Sequence, residues 1–400
     1  MAESVSGSQS ECTLRVDATI LSKFLAAAKK LHRLGNQCPY VWLYVGADKQ
    51  VVATTPHVSG AQAVVKLGVD PDVDPYASLY VPITYTVPKT GKDSIATLRM
   101  SGGTLTVSVG RIESKMAIEG WVEGSVGKYF YYEGEAVLHE QEVPASFISN
   151  FFDLAKEVSV CAPAKTDYGR PLLNGVNIRG GRLWATDGFW VGEALGPKEL
   201  EGKVLEDQTL PVRSLLALQA FTPLIGDSEY ISRVLAHGTT YVRLCGSNGS
   251  IAVATMEGRY PRVQELIRSD LYKSPNTSSC WALRSDSIRG VLSNLPSSSS
   301  GSDGWGLLFT DVVSGVVAVT LTDNNNEERA AATTHAAISG CGVPHVWLPP
   351  HKIKYILDHY DGDLIMVMLP NRENPNKVES IVEIVTKSPM DFWVMPLDME

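Results

Sequence analysis

The chain has 400 residues, a formal net charge of −9, 44% hydrophobic residues and 20% charged ones, enough for two to four domains that each bury a core. The acidic balance excludes a wholly basic nucleic-acid coat but leaves room for a local basic surface. The opening MAESVSGSQSE lacks the apolar stretch of a secretory signal and no later run approaches a bilayer span, so a cytoplasmic protein with no membrane contact is expected.

The first predicted element is an amphipathic helix in VDATILSKFLAAAKK at 16–30, with Ile20, Leu21, Phe24, Leu25 and Ala28 on one face. A strand follows at 40–47, YVWLYVGA. The segment 55–76, TPHVSGAQAVVKLGVDPDVDPY, reads as a surface elaboration. A helix is expected at 82–93 after Val81, although Pro88 and Gly91 interrupt it. Alternation then marks a strand at 104–110, and 127–136 reads as a linker.

The pattern then begins again. VPASFISNFFDLAKE at 143–157 places Phe147, Ile148, Phe151, Phe152 and Ala155 on one helical face, and LPVRSLLALQAF at 210–221 is a second helix opened by proline. Strands are expected at 241–245 and 250–256, and a linker at 269–278. A third round follows, with LRSDSIRGVLSNL at 283–295, a Ser/Gly loop at 297–304, a strand at 315–322, the helix LPPHKIKYILDHY at 348–360 and a strand at 380–386. The spacing between the two helical segments of each round is 65 to 67 residues. A threefold repeat of an α+β unit is therefore predicted, each unit with two helices and antiparallel strands.

Motifs for chemistry are sparse. Cys12, Cys38, Cys161, Cys245, Cys280 and Cys341 form no CxxC pair and read as reduced thiols. His351 and His359, eight apart with Lys352 and Lys354 between them, suit a solvated helix better than a metal site. No metal or cofactor is implied. RLWATDGFWV at 182–191 places an Asp-Gly turn signal between β-prone runs. Asp187 is either a catalytic carboxylate or part of a structural hairpin whose flanks carry a binding surface. No repeated Asp-Thr-Gly, Gly-x-Ser-x-Gly or phosphate loop accompanies it, which disfavours an enzyme.

Six segments occur in a telling order: RPLLNGVNI at 170–178, LWATDG at 183–188, MEGRYP at 256–261, TDNNNEERA at 322–330, YILDHYDGD at 355–363 and FWVMPL at 392–397. In this order, on a threefold repeat, the chain resembles the bacterial DNA polymerase III beta subunit, the sliding clamp, from about Thr13 to Met399. The resemblance implies three clamp domains, at 11–128, 135–270 and 278–400, and a ring-shaped head-to-tail homodimer. Helices would line the lumen around double-stranded DNA, with sheets outside. It implies a processivity factor that serves DNA polymerase and clamp loader and is not an enzyme. The alternative is a clamp-like scaffold that binds proteins without loading on DNA.

The resemblance also implies residues. The six predicted helices carry a net charge of +5, leaving −14 for the rest of the chain. That suits weak, sequence-independent attraction of phosphates. Lys23, Lys29, Lys30, Arg33, Arg213, Arg284, Arg289, Lys352 and Lys354 are the expected DNA contacts. A groove for partner peptides would be walled by Leu173, Thr186, Gly188, Phe189, Trp190, Pro261 and Leu266, with Tyr355, Val394, Met395, Pro396 and Leu397. The chain departs from the family at two places. Phe189 and Trp190 stand where His-Arg is usual, and Asp398 stands where a basic residue is usual, with Glu400 extending the chain. A differently tuned peptide preference is expected.

Overall fold

A computed structural model describes residues 12–35, 38–57, 59–88, 94–118, 136–263, 267, 278–296, 304–313, 315–323, 325, 327–340, 343–370, 378–386 and 390–397. The helices that matter below are α1 (Ala18–His32), α2 (Phe147–Val158), α3 (Val212–Leu218), α4 (Thr222–Ile225), α5 (Ser285–Leu292) and α6 (Pro350–His359). The chain groups into two compact units, one of residues 1–156, 178–181 and 196–257, the other of 157–177, 182–195 and 258–400.

In the first unit, the Asp17 carboxylate caps α1 by accepting from the Ile20 N–H at 2.8 Å. Lys29, Lys30 and His32 fill the last turn, where the helix dipole favours cations. Of the predicted face, Leu21, Phe24, Leu25 and Ala28 are at most 2% exposed and Ile20 is half-buried, while Leu31 joins the buried side at 1%. The helix packs on α3, and Phe24 meets Phe221 edge-on at 5.6 Å. Four antiparallel strands run in the order Cys12–Asp17, Ile95–Ser101, Thr104–Val109, Ile112–Ala117. A second, eight-stranded sheet runs Ser78–Pro82, Tyr40–Val45, Gln50–Thr54, Ala61–Val69, Gly249–Ala254, Thr239–Gly246, Ser228–Ala236, Ala136–Glu142. Alternation gives the larger sheet one apolar face, with Leu43, Ala53, Ala63, Val65, Ile251 and Leu244 fully enclosed.

Three expectations change. Residues 55–76 are not a surface elaboration, because Ala61–Val69 is an interior strand with Ala61, Ala63, Val65 and Leu67 inside. No helix forms over 82–88: Pro82 ends a strand and a single turn bonds Tyr85 N to Pro82 O at 2.9 Å. Residues 89–93 lie outside the described residues. The helix expected at 210–221 is shorter, since residues 208–211 are strand and Pro223 opens a separate turn, α4. The expected linker 269–278 lies outside the described residues except Ser278, as does 127–136 except Ala136 and the loop 297–304 except Gly304.

In the second unit, antiparallel strands run in the order Arg182–Thr186, Trp190–Leu195, Met390–Val394, Val378–Val385, Leu364–Pro370, Ser279–Leu283, Glu328–Gly340, Val316–Thr322, Gly306–Val313, His345–Leu348. Helices α5 and α6 contact one another through faces that bury Ile288, Val291 and Leu292 on one and Ile353, Ile356 and Leu357 on the other. Pro350 sits in the first turn of α6, as its missing N–H allows. The free thiols of Cys38, Cys161 and Cys245 are buried, and those of Cys12 and Cys280 half-buried.

Candidate functional site

The loop at Asp187 is wider than a two-residue hairpin turn. Thr186 pairs with Val191, so Asp187, Gly188 and Phe189 bridge toward Trp190, and of these Gly188 alone takes a positive φ, 93°. Side chains close the loop. The Asp187 Oδ1 accepts from the Phe189 N–H at 2.8 Å and the Trp190 N–H at 3.1 Å. Thr186 Oγ1 accepts from the Gly188 N–H at 2.9 Å and donates to the Trp190 carbonyl at 2.6 Å. These local bonds are the reason Asp and Thr suit such positions.

Asp187 has a second task. From α6 in the same unit, the Lys352 ammonium lies 3.1 Å from Oδ2 and 3.3 Å from Oδ1. It also sits 5.5 Å from the Phe189 ring centre and 5.2 Å from that of Trp190, within cation–π range. Burial pushes the Lys352 pKa below its ordinary value, and the Asp187 charge opposes that shift. Burial also drives the neighbouring Cys161 thiol well up, and the Asp187 charge adds to this. A thiol so held is inert.

This corrects one expectation. Lys352 is 5% exposed, and an ammonium enclosed by a carboxylate and two rings is not available to a DNA phosphate. It belongs to the wall behind Phe189 and Trp190.

The chain-terminal strand completes that wall. Trp190 pairs with Val394, the Met395 N–H donates to the Phe189 carbonyl at 2.9 Å, and the Leu397 N–H to the Trp347 carbonyl at 2.9 Å. Trp190 stacks on Phe392 at 5.8 Å and meets Tyr355 edge-on at 6.0 Å, and Tyr355 stacks on His359 at 4.0 Å. The expected groove residues therefore divide. Leu173, Thr186, Trp190 and Val394 are buried. Tyr355, Pro396 and Leu397 are half-buried, and Pro261 is exposed. Phe189 is 58% and Met395 41% exposed, both large and apolar. Leu266 lies outside the described residues.

Sequence reasoning missed the layer beneath. Trp184 and Trp393 stack at 6.1 Å in a cluster with Val191, Tyr260, Val263 and Ile267, against which Leu172 packs. The signal was present in the period-two spacing of Trp184 and Thr186 along their strand. Gly258, with φ 122°, lets the chain pass Leu172, where a Cβ would approach to 2.9 Å.

The remaining expected cations lie on separate helices. In the first unit Lys23, Lys30, Arg33 and Arg213 are exposed, and Lys29 donates to Thr86 Oγ1 at 3.4 Å. In the second, Arg284 is 3.9 Å from Asp286, Arg289 is 3.8 Å from Asp358, and Lys354 is 3.2 Å from Asp358. Surface pairs of this kind are weak and exchange readily with another anion. Among the described residues no group of three or more His, Cys, Asp or Glu could hold a metal ion, and no helix is long and apolar enough to cross a membrane.

No protein-family model matches the sequence, and no curated protein matches it. Solved structures do match. The DNA polymerase III subunit beta of Pseudomonas aeruginosa superposes with a TM-score of 0.72 at 15% identity, over 97% of this chain and 100% of that one. A sliding clamp from Bartonella birtlesii, bound to griselimycin, gives 0.67 at 15% identity over 97% and 100%. The beta sliding clamp of Caulobacter crescentus gives 0.70 at 13% identity, also over 97% and 100%. The chain has the fold of the DNA polymerase III beta sliding clamps.

Proposed function

We propose that the protein is a member of the DNA polymerase III beta subunit family and works as a DNA sliding clamp, a non-enzymatic processivity factor. The observation that carries this reading is the fold match over 97% of the chain and 100% of the Pseudomonas aeruginosa subunit. The six ordered sequence motifs support it independently. On this reading the chain comprises three clamp domains, 11–128, 135–270 and 278–400, and two chains close head to tail around double-stranded DNA.

Lys23, Lys29, Lys30, Arg33 and Arg213, with Arg284, Arg289 and Lys354, supply the attraction for phosphates. Most are exposed or only loosely paired. Such contacts are weak enough to permit sliding. DNA polymerase and clamp loader dock short peptides on the surface made by Phe189, Met395, Pro261, Tyr355, Pro396 and Leu397. Leu173, Thr186, Trp190 and Val394 hold that surface from behind, and the exposed Gly188 lies at its edge. Met and aromatic side chains give an adaptable apolar patch.

The test is topological. The protein, loaded by a matching clamp loader, is expected to remain on nicked circular DNA and to be lost when the circle is linearised. Binding to polymerase peptides without any retention on circles would establish the scaffold reading instead.

A further inference from the structure

We propose a second docking pocket, in the first unit, that takes an indole side chain lying next to a carboxylate in a partner peptide. The larger sheet of that unit buries one face and turns the other outward. On the outward face Trp42, Thr54, Val64 and Ser250 form one row across four strands. Gln62, Ala252 and Arg243 form the next. Between the rows lies a cavity of about 250 Å³, with Tyr44 at its side.

Its size admits one flat ring and its near surroundings, since pockets for larger ligands start at roughly 300 Å³. Its wall is aromatic. Trp42 stands 4.7 Å from Tyr44 and 6.5 Å from Tyr80, ring centre to ring centre. Stacking on such a wall favours a planar guest.

Two polar groups narrow the choice. Gln62, 3% exposed, donates its amide N–H groups to Thr55 O at 3.1 Å and Thr54 Oγ1 at 3.4 Å. Its carbonyl oxygen is left as an acceptor at the cavity, and a ring N–H would satisfy it. Arg243 supplies a guanidinium, which favours a carboxylate over a second cation. A ring with an N–H donor beside a carboxylate describes tryptophan next to an acidic residue or at a chain end.

A nucleobase with its phosphate offers similar chemistry, but the charge decides against it. Affinity for a nucleic-acid strand grows with each neutralised phosphate. Here the cavity lining carries one cation, Arg243, with Lys66 two residues beyond Val64 on the same strand, on a chain of net charge −9. One carboxylate needs no more than one of them.

The probe is N-acetyl-L-tryptophan titrated into the full chain, followed by saturation-transfer NMR. It should bind with a millimolar Kd. Its amide, which lacks the carboxylate, and its 1-methylindole analogue, which lacks the N–H, should each bind about five-fold more weakly, the worth of one hydrogen bond. Arg243→Gln, checked for an unchanged melting profile, should erase the difference between acid and amide. Equal binding of the three probes would overturn the proposal. So would an acid preference that survives Arg243→Gln, or tighter binding of a 5′-phosphorylated thymidine dinucleotide.

Discussion

Replacing Lys352 by Met removes a buried cation while keeping the length of its side chain. Asp187 then loses the ammonium at 3.1 Å but keeps the Phe189 and Trp190 N–H groups. Breaking a buried pair costs about 3–5 kcal/mol when the stranded charge stays dry. The Asp187 side chain is 25% exposed, and solvent at that side should reduce the cost to about 1–2 kcal/mol. The lost cation–π contacts with Phe189 and Trp190 add about 0.5–1 kcal/mol. Asp187→Asn alone should also destabilise, because it leaves Lys352 charged and enclosed. The double variant should recover much of the loss, since two neutral side chains replace two charges. A double-mutant cycle in urea, read by tryptophan fluorescence, should give a coupling of about 1–2 kcal/mol. Additive losses, with coupling below about 0.3 kcal/mol, would show that the two groups are merely adjacent.

Gly188→Ala should cost about 1 kcal/mol or more in the same denaturation, because alanine resists a φ of 93° and its Cβ would press within 2.7 Å of Arg170 Nη1. Phe189→Ser should leave stability within about 0.5 kcal/mol, as expected of a side chain 58% exposed, yet weaken binding of a polymerase-derived peptide by about ten-fold in a fluorescence-anisotropy titration. His57 and His351 have pKa values pushed below 6.5, chiefly by burial. The unfolded chain therefore takes up more protons as pH falls below that value. Stability is fully present above about pH 6.5 and declines as pH drops toward the folded-state values. Urea midpoints at pH 7.5 and 5.5 should differ, and His57→Phe should narrow the gap.

What could be read from the sequence was the periodic part of the structure. The apolar face of α2, and that of α1 apart from the half-buried Ile20, are buried as their 3.6-residue spacing requires. The order of motifs led to the correct fold. The strand Ala61–Val69 was not recognised, because VSG and DPDVDP around it gave strong turn signals and its AQAVVKL alternation is short. Pro88 and Gly91 argued against the helix that Pro82 suggested there, and none forms over 82–88. At the candidate site the sequence identified Asp187 as a loop-shaping residue but placed Lys352 among solvated cations. Lys352 and Asp187 are 165 residues apart in sequence, and no local pattern records such a pairing. Helical periodicity could have flagged its burial, though not its partner: Lys352 adjoins Ile353 and lies four residues before Ile356, on the buried side of α6.

The burial of that lysine changes what the surface above it can recognise. Where the resemblance leads one to expect a polar His-Arg edge, this chain presents Phe189 to solvent and keeps its cation beneath, already neutralised by Asp187. An acidic residue of a docking peptide would therefore not meet the lysine; the cation it would find is Arg170, beside Gly188, 57% exposed and paired with Asp167. A contact made chiefly with Phe189 and Met395 should still depend on apolar burial. Screening acts on exposed charges and hardly on apolar contact. The affinity of a polymerase-derived peptide for this surface should thus change by less than about two-fold between 50 and 500 mM NaCl. Lys352→Met should weaken binding by loosening the loop, without altering that flat salt profile. A ten-fold loss of affinity over the same range, retained in Arg170→Gln and abolished by Lys352→Met, would mean that Lys352 leaves Asp187 to meet the peptide, and that the buried pair is a switch for an incoming carboxylate.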